Sequence, residues 1–205
     1  MSRPWFHGAS RRFEHWAPPP LPPSQPAWRQ HSFVCLSRDA AYARLHRQAA
    51  GGLCRAHLRP GTPLLDLRQD SRDAAWLWQQ LRQTPLGAGH QGLLSYAQWL
   101  AACRDGSVLR YLFASEQLEP QLFALQRLAA TDSADALARQ QARLRVQDFT
   151  RGWIEQVIGP AAQLGYAAVI CNEHEPSLGR KPSTQLFVFD VSCLSPPRWS
   201  EQAER

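Results

Sequence analysis

The sequence predicts an α+β fold in which strands from both ends of the chain share one sheet around a helical middle. Apolar runs of strand length occur before residue 68 and again after residue 165. Between residues 71 and 157 the apolar residues instead recur at helical spacing. With 205 residues, 44% of them hydrophobic, the chain is long enough for one sizeable core. We therefore expect a single domain over residues 1–205, with a helical insertion at about 71–150.

The N-terminal part predicts two strands separated by a proline-rich loop. "WFHGAS" begins with aromatic residues and predicts a short first strand, and "HSFVCLS" (residues 31–37) predicts the second. Between them "APPPLPPSQP" predicts an extended loop, because proline has no amide hydrogen and fixes φ.

A helix and two further strands are predicted next. "SRDAAYARLHRQAAGG" begins with Ser37 or Asp39 as a cap and ends at a glycine pair. Its apolar residues at helical spacing are Ala41, Leu45 and Ala49. "LCRAHL" predicts a third strand, "RPGTP" a turn and "LLDL" a short fourth strand.

The middle of the chain predicts several amphipathic helices. "TDSADALARQQARLRVQDFTRGWIEQVI" predicts a long helix whose first half is a solvated polar face. Pro160 suits the first turn of a short helix that ends near Gly165. The apolar faces expected of the two earlier helices consist of Ala74, Leu77, Trp78 and Leu81, and of Leu93, Ala97 and Leu100.

The C-terminal part returns to strands. "YAAVIC" (residues 166–171) and "QLFVFDV" (residues 185–191) are apolar runs of strand length. The segment between them, "NEHEPSLGRKPST", is polar and contains glycine and proline, which predicts a loop.

Composition narrows the class of protein. The five cysteines are odd in number and form no CxxC pair, so we expect neither a disulfide framework nor a zinc site, and we expect no bound metal. No apolar run reaches the length of a membrane-spanning helix, and the first residues lack the apolar region of a Sec signal peptide. The net charge of +6 is scattered, which permits an acidic partner without requiring one.

Five segments, taken in order, resemble one family. "FHGAS" resembles its "YHGT" or "HRAS" opening, and "FVCLSRDAAYARLH" its strand and helix with "A..YA". "LCRAHLRPGTPLLDL" resembles the strand–turn–strand with "LDl", "LGYAAVI" resembles "lGYDGV", and "STQLFVFDVSCLSP" resembles the last strand, "EYVVFDP..I". The family is that of ADP-ribosyltransferase domains of the diphtheria-toxin and poly(ADP-ribose)-polymerase type. The resemblance covers residues 4–67 and 150–195 and implies their split sheet.

The resemblance implies an NAD site built by the first two strands. His7 matches the histidine that bonds a ribose hydroxyl, and Gly8 the residue whose backbone bonds the nicotinamide amide. Gly8 suits that role because it has no side chain to block close approach. An aromatic residue normally stacks on the nicotinamide, and Phe33 and Tyr42 lie near its position together with Cys35. Ser37 is expected either to bond the ligand or to cap the following helix.

The sequence departs from the family pattern at the position of the catalytic carboxylate. The glutamate expected just before the last strand, which bonds the ribose 2′-hydroxyl, is Gln185 here. An amide still bonds a hydroxyl, but it has no charge and cannot act as a base. Glu173 and Glu175, on the predicted loop, offer a replacement carboxylate, as in an "ExE" pair. Ala167 replaces the aspartate of "GYDGV".

Three functions follow as hypotheses. The first is a mono-ADP-ribosyltransferase that uses NAD to modify a macromolecule, more readily a protein than a nucleic acid. It would be a bacterial toxin or effector, either cytoplasmic or delivered by a specialised secretion system, with an immunity protein or chaperone as a further partner and no membrane. The second is a catalytically inactive binding module on the same fold. The third is an RNA-directed 2′-phosphotransferase, for which "SRR" (residues 10–12) and "GRK" (residues 179–181) are the basic candidates.

Overall fold

The computed structural model describes residues 3–17, 31–46, 51–84, 95–109, 120–131, 135–174 and 181–200. Over these residues the chain is a mixed α+β protein with a seven-stranded mixed sheet and five α-helices, which confirms the predicted class. The strands are β1 (Trp5–Ala9), β2 (Val34–Ser37), β3 (Gly52–Ala56), β4 (Leu64–Asp66), β5 (Ala168–Glu173), β6 (Ser183–Val188) and β7 (Arg198–Trp199). The helices are α1 (Ala40–Arg44), α2 (Arg72–Gln83), α3 (Tyr96–Asp105), α4 (Pro120–Ala130) and α5 (Ala136–Ile158).

The sheet joins the two ends of the chain. Its strand order is β4-β5-β6-β2-β1-β3-β7, so the late strand β6 lies between β5 and the early strand β2. The β4–β5 pair is parallel and the other pairs are antiparallel. The register aligns Ser37 with Gln185, and Gln185 with Cys171.

Apolar side chains form one cluster on each face of the sheet. Because successive residues of a strand point to opposite faces, β5 and β6 contribute to both clusters. The helix-covered cluster includes Phe33, Leu65, Leu77, Trp99, Trp153, Val169, Cys171 and Phe187. The opposite cluster includes Trp5, Trp16, Val34, Leu36, Cys54, Ala56, Ile170, Leu186 and Val188.

Of the described helices, α2 to α5 lie between β4 and β5, and α2, α3 and α5 place apolar side chains in the cluster on the helix-covered face. Ser71 caps α2 by accepting from the N–H of Ala74, and Asp135 caps α5 by accepting from Leu137. Ala74, Leu77 and Leu81 are buried, as predicted, and Trp78 is half-buried. The indole Nε1 of Trp153 donates to the carbonyl of Val108 at 2.6 Å, which fixes α5 on the turn after α3.

Two predicted helix faces differ from the observed ones. α1 ends at Arg44 and buries Tyr42 and Ala43, while Ala41 is exposed and Leu45 is 49% exposed. The prediction assumed a helix of about three turns, whereas α1 has five residues, and in so short a helix the spacing of apolar residues does not determine which side chains are buried. In α3 the prediction is right for Leu100, which is buried with Trp99, Ala102 and Cys103, and wrong for Ala97, which is exposed. Leu93 and Ala49 lie outside the described residues.

Several strand bounds differ from the sequence prediction. β5 extends to Glu173, and β6 begins at Ser183, so both take in polar residues that were predicted as loop. β7 was not predicted, because a strand of two residues is too short to show an alternation of apolar and polar side chains. The predicted short helix at Pro160 is a 3₁₀ turn, Gly159–Leu164, capped by Gly165 as expected. The proline-rich loop from residue 18 onward lies outside the described residues.

All five cysteines are free thiols. Among the described residues no helix is both long enough and apolar enough to cross a bilayer.

Candidate functional site

The sheet is interrupted between β1 and β2. Over the described residues one registered pair, Phe6 with Ser37, joins these strands. By contrast β1 pairs with β3 along all five of its residues, and β2 pairs with β6 along all four. In an unbroken ladder the next pair of the same orientation would be Gly8 with Cys35, and that pair is not formed.

The backbone of Gly8 faces this break. In an antiparallel pair the N–H and C=O of one residue point to the same side. The carbonyl of Leu53 accepts from the N–H of Ser200, so Leu53 turns its polar groups toward β7. Gly8 is the partner of Leu53 and therefore turns its N–H and C=O away from β3, toward β2. A donor and an acceptor of the main chain thus meet the break side by side.

The imidazole of His7 occupies the other side of the break. Its Nδ1 lies 2.8 Å from the carbonyl oxygen of Cys35, the group that Gly8 would bind in an unbroken ladder. A carbonyl only accepts, so Nδ1 carries the hydrogen and Nε2 is left as an acceptor in the neutral ring. Burial lowers the pKa of His7, the bond to Cys35 opposes this, and the charge of His46 lowers it further. The neutral form is thereby favoured.

Aromatic side chains hold the ring of His7. Phe13 and Trp16 both meet it edge to face, with centroid distances of 5.9 and 5.6 Å. Trp16 is anchored by its Nε1, which donates to the carbonyl of Ser195 at 2.8 Å. Trp199 donates in turn from its Nε1 to the carbonyl of Phe13. The ring is therefore fixed by packing as well as by its hydrogen bond.

Ser37 and Gln185 are direct neighbours across the β2–β6 pair. The amide Nε2 of Gln185 donates to the Oγ of Ser37 at 3.3 Å, and both side chains are 2% exposed. The same Oγ accepts from the N–H of Asp39 at 3.0 Å and lies 2.9 Å from the Oγ of Ser183. Three partners use the full capacity of a hydroxyl, so Ser37 holds its neighbours in place. The side-chain cap of α1 is Asp39, which accepts from Ala41.

The register divides the predicted residues between the two faces. Phe6, Ser37 and Gln185 are directly paired across three strands and share the helix-covered face. His7 is the next residue along β1, so its side chain begins on the opposite face and reaches β2 through the break. His7 and Gln185 therefore lie on two strands separated by β2, and their side chains start on opposite faces of the sheet.

The predicted aromatic residues are packed. Phe33 is 1% exposed and meets the rings of Phe187 and Phe189 edge to face in the helix-covered cluster. Tyr42 is 4% exposed on α1, with its ring centroid 5.4 Å from that of His46. Their contact with a nicotinamide ring stays a prediction.

Glu173 lies in the sheet, whereas the sequence predicted it in a loop. It is the last residue of β5, pairs with Ser183, and is 9% exposed. Burial raises the pKa of the Cys35 thiol, and the negative charges of Glu173 and Glu155 raise it further. Glu175, the other predicted carboxylate, lies outside the described residues.

Glu155 of α5 is engaged at the start of β2. Its Oε1 accepts from the N–H of Ser32 at 2.7 Å and lies 3.1 Å from Nδ1 of His31, and its Oε2 accepts from the Oγ of Ser32 at 2.8 Å. Burial opposes the charge of Glu155, but these hydrogen bonds outweigh it and lower the pKa of the carboxyl. The carboxylate thus fastens the chain before β2 to the long helix.

The residues proposed for an RNA substrate are at the surface or outside the described residues. Ser10, Arg11 and Arg12 are exposed, with the guanidinium of Arg12 5.8 Å from the ring centre of Trp199. Lys181 is exposed, and Gly179 and Arg180 lie outside the described residues. Within the described ranges no three His, Cys, Asp or Glu side chains come together as a metal site.

No protein-family model, curated protein or solved structure matches the chain.

Sequence reasoning missed three features of the site. No residue type in the sequence marks the break between β1 and β2. At the break, the ring of His7 is hydrogen-bonded to the carbonyl of Cys35, and sequence patterns do not show such a contact. Ser183 and Glu173 were assigned to a loop because polar residues at strand ends resemble loop residues. The alternation of Val169, Cys171 and Glu173 is the pattern that extends β5.

Proposed function

We propose that the chain is a mono-ADP-ribosyltransferase that takes NAD into the break between β1 and β2. The observation that carries the proposal is the bond from Nδ1 of His7 to the carbonyl of Cys35. It leaves Nε2 of His7 as an acceptor, and Gly8, through its pairing with Leu53, turns its N–H and C=O toward the same gap. This fits the residues that the family resemblance assigns to the nicotinamide and its ribose.

The chemistry of nicotinamide riboside suits these groups. A primary carboxamide carries one acceptor and two hydrogens, which complement the N–H and the C=O of Gly8. A ribose hydroxyl donates to Nε2 of His7. The residue after His7 has no side chain, so a planar ring can approach the strand closely.

The reaction breaks the bond between nicotinamide and C1′ of the ribose. Its transition state is oxocarbenium-like, as in glycoside hydrolysis. The acceptor is a nucleophilic side chain of a partner protein, and the net charge of +6 favours an acidic surface on that partner.

A binding assay with NAD tests the proposal. Titration calorimetry with the wild type is expected to show saturable binding, and His7→Ala is expected to weaken it at least about tenfold by removing one hydrogen bond to a ligand held in a buried site. The exposed histidine His15 supplies the matched control, and His15→Ala is expected to bind as the wild type does. Circular dichroism checks that each variant is folded. A wild type that does not bind NAD, or equal binding by His7→Ala, would contradict the proposal.

One observation favours a second function, a catalytically inactive binding module. Gln185 stands where the family carries a glutamate, and its neutral amide is bound to Ser37. NAD binding without release of nicotinamide, in the presence of candidate acceptors, would favour this second function over the first.

A further inference from the structure

Two arginines face each other across the outermost strand pair of the sheet. Arg55 of β3 is the direct partner of Arg198 of β7, and both side chains are exposed. Directly opposed side chains of an antiparallel pair start about 5 Å apart, and like charges at such positions oppose the pairing of the strands. Within the part of the chain that the structure describes, neither guanidinium has a hydrogen bond or an ion pair. The fold therefore holds two positive charges side by side without a neutralising partner among these residues.

The line of side chains continues inward to an aromatic ring. Arg55 also pairs with Phe6 of β1, so Phe6, Arg55 and Arg198 lie in a row on one face, which we call the edge row. Phe6 is half-buried, belongs to neither apolar cluster and has no ring contact within the described ranges. Because strands are about 4.8 Å apart, the edge row is roughly two spacings long.

The edge row lies where the helix-covered cluster has ended. Ser37 and Gln185 precede Phe6 in the same line of paired residues, and both are 2% exposed. The described residues of β1, β3 and β7 that join an apolar cluster join the one on the other face. The line of side chains therefore passes from beneath the helices to an open surface, and the arginines stand at its outer end.

Two further groups add donors at this outer end. The N–H of Ser200 donates to the carbonyl of Leu53 at 2.9 Å, which continues the β3–β7 ladder and places the exposed Ser200 side chain on the face of Arg198. The guanidinium of Arg12 lies 5.8 Å from the ring centre of Trp199, the residue after Arg198. Three guanidinium groups and a hydroxyl thus lie at the edge of the sheet, and all of them donate to oxyanions.

The chemistry of the edge row favours a nucleic-acid strand. A single small anion on exposed guanidinium groups is held weakly, because water and salt screen the charges. A nucleic acid carries a phosphate on every nucleotide, so several contacts act together and release counterions. The carboxylates of an acidic protein would satisfy the arginines but make no use of the ring. The bases of a single strand, unlike those of a duplex, have faces that stack on an aromatic side chain of a sheet.

We propose that the edge row binds single-stranded nucleic acid, with phosphates on Arg55 and Arg198 and a base against the ring of Phe6. These contacts are to phosphates and to the face of a base, so binding does not depend on the base sequence. The inference goes beyond the proposed function and is independent of it, because none of the three residues is assigned to NAD.

Fluorescence anisotropy with a labelled, mixed-sequence DNA single strand of about 12 nucleotides measures the binding. The wild type is expected to bind at about 50 mM salt, and the double variant Arg55→Gln/Arg198→Gln to bind at least about tenfold more weakly. The slope of log K against log salt concentration is expected to become shallower by about 1.4, since each phosphate contact to a single strand contributes about 0.7.

The matched control removes two exposed arginines from the helices. Arg72→Gln/Arg145→Gln changes the net charge by the same amount, at α2 and α5. It is expected to bind the strand within about twofold of the wild type, because charges distant from the contact are screened by salt. Equal weakening by the two double variants would show that only the net charge matters.

Phe6→Leu separates stacking from charge. It keeps an apolar side chain and is expected to weaken binding of the single strand about tenfold, the loss of one stacked base. The salt dependence, and the binding of a duplex of the same sequence, are expected to stay as in the wild type. A merely structural role of Phe6 would weaken binding of the single strand and of the duplex alike.

Circular dichroism and melting temperature establish that each variant is folded. The double variant of the edge row is expected to melt no lower than the wild type, because two like charges are no longer opposed. If Phe6→Leu does not fold, the two double variants decide the matter alone.

Three results overturn the proposal. The first is a wild type that does not bind the single strand at low salt, and the second is equal weakening by the edge-row variant and its control. The third is displacement of the labelled strand by poly-L-glutamate as effectively as by unlabelled strand at equal charge concentration, which would identify the edge row as a surface for an acidic protein. Equal losses of single-strand and duplex binding in folded Phe6→Leu overturn the contact between Phe6 and a base.

Discussion

The two halves of the sheet are packed differently. The half formed by β4, β5, β6 and β2 contributes to apolar clusters on both faces, whereas the described residues of β1, β3 and β7 contribute to the cluster opposite the helices. β2 is bound to the first half by four registered pairs and to the second by one. β2 is therefore joined to the first half more extensively than to the second, and the gap in the ladder lies beside Gly8 of β1.

The largest expected effect tests how firmly the helices hold the first half. Gly106→Ala places a methyl group on a left-handed residue and against the backbone of Glu173 and His174. Gly61 has a similar φ of 77° with nothing within 4 Å of a Cβ, so Gly61→Ala isolates the conformational cost. We expect about 1–2 kcal/mol for Gly61→Ala and about 3 kcal/mol or more for Gly106→Ala, where backbone must also move.

Thermal unfolding followed by circular dichroism measures both glycine variants. If Gly106→Ala and Gly61→Ala lose the same free energy of unfolding, the end of β5 moves freely relative to α3. The helices would then not hold the first half of the sheet at this point.

A substitution with an intermediate expected effect tests the break between β1 and β2. His7→Leu removes the donor to the Cys35 carbonyl and is expected to cost about 1 kcal/mol at neutral pH. The pKa of His7 is lowered in the folded chain, so below its ordinary value of 6.5 the unfolded chain binds more protons. The stabilisation from His7 is therefore complete above pH 6.5 and declines as the pH falls through and below it.

Urea unfolding of the wild type and of His7→Leu at a series of pH values checks this. The difference in free energy of unfolding between them is expected to shrink as the pH falls below 6.5. Parallel curves would show that the imidazole does not titrate differently in the two states, and that the break does not depend on a neutral ring.

The smallest effect is expected at the outer edge of the first half. Arg68 donates from Nε and Nη2 to the two carboxylate oxygens of Asp66, at 2.8 and 2.7 Å, and both side chains are partly exposed. Burial opposes the charge of Asp66, but the hydrogen bonds from Arg68 lower its pKa. A double-mutant cycle with Asp66→Asn and Arg68→Gln is expected to give a coupling below about 1 kcal/mol, which added salt reduces. A coupling free energy above about 1 kcal/mol would mean that this ion pair stabilises the edge of the sheet more than partly exposed ion pairs usually do.

The sequence identifies most of the elements, because strand and helix periods are local properties. It predicts six of the seven strands described from apolar runs, and the long helix α5. It cannot provide the break between β1 and β2, which depends on a ring of one strand reaching a carbonyl 28 residues later. For the same reason it assigns Glu173 to a loop: its burial depends on Gly106, which is distant in sequence.

The position of β6 between β5 and β2 has a consequence for how the chain folds. β2 pairs with residues 185–188, about 150 residues later, so its main ladder forms only when the ends of that long segment come together. Closing so long a loop is entropically costly, and chains with distant pairings fold slowly. During synthesis β1, β2 and β3 leave the ribosome well before β6 exists. The helices between β4 and β5 therefore have time to assemble first, and the sheet is completed as the last step.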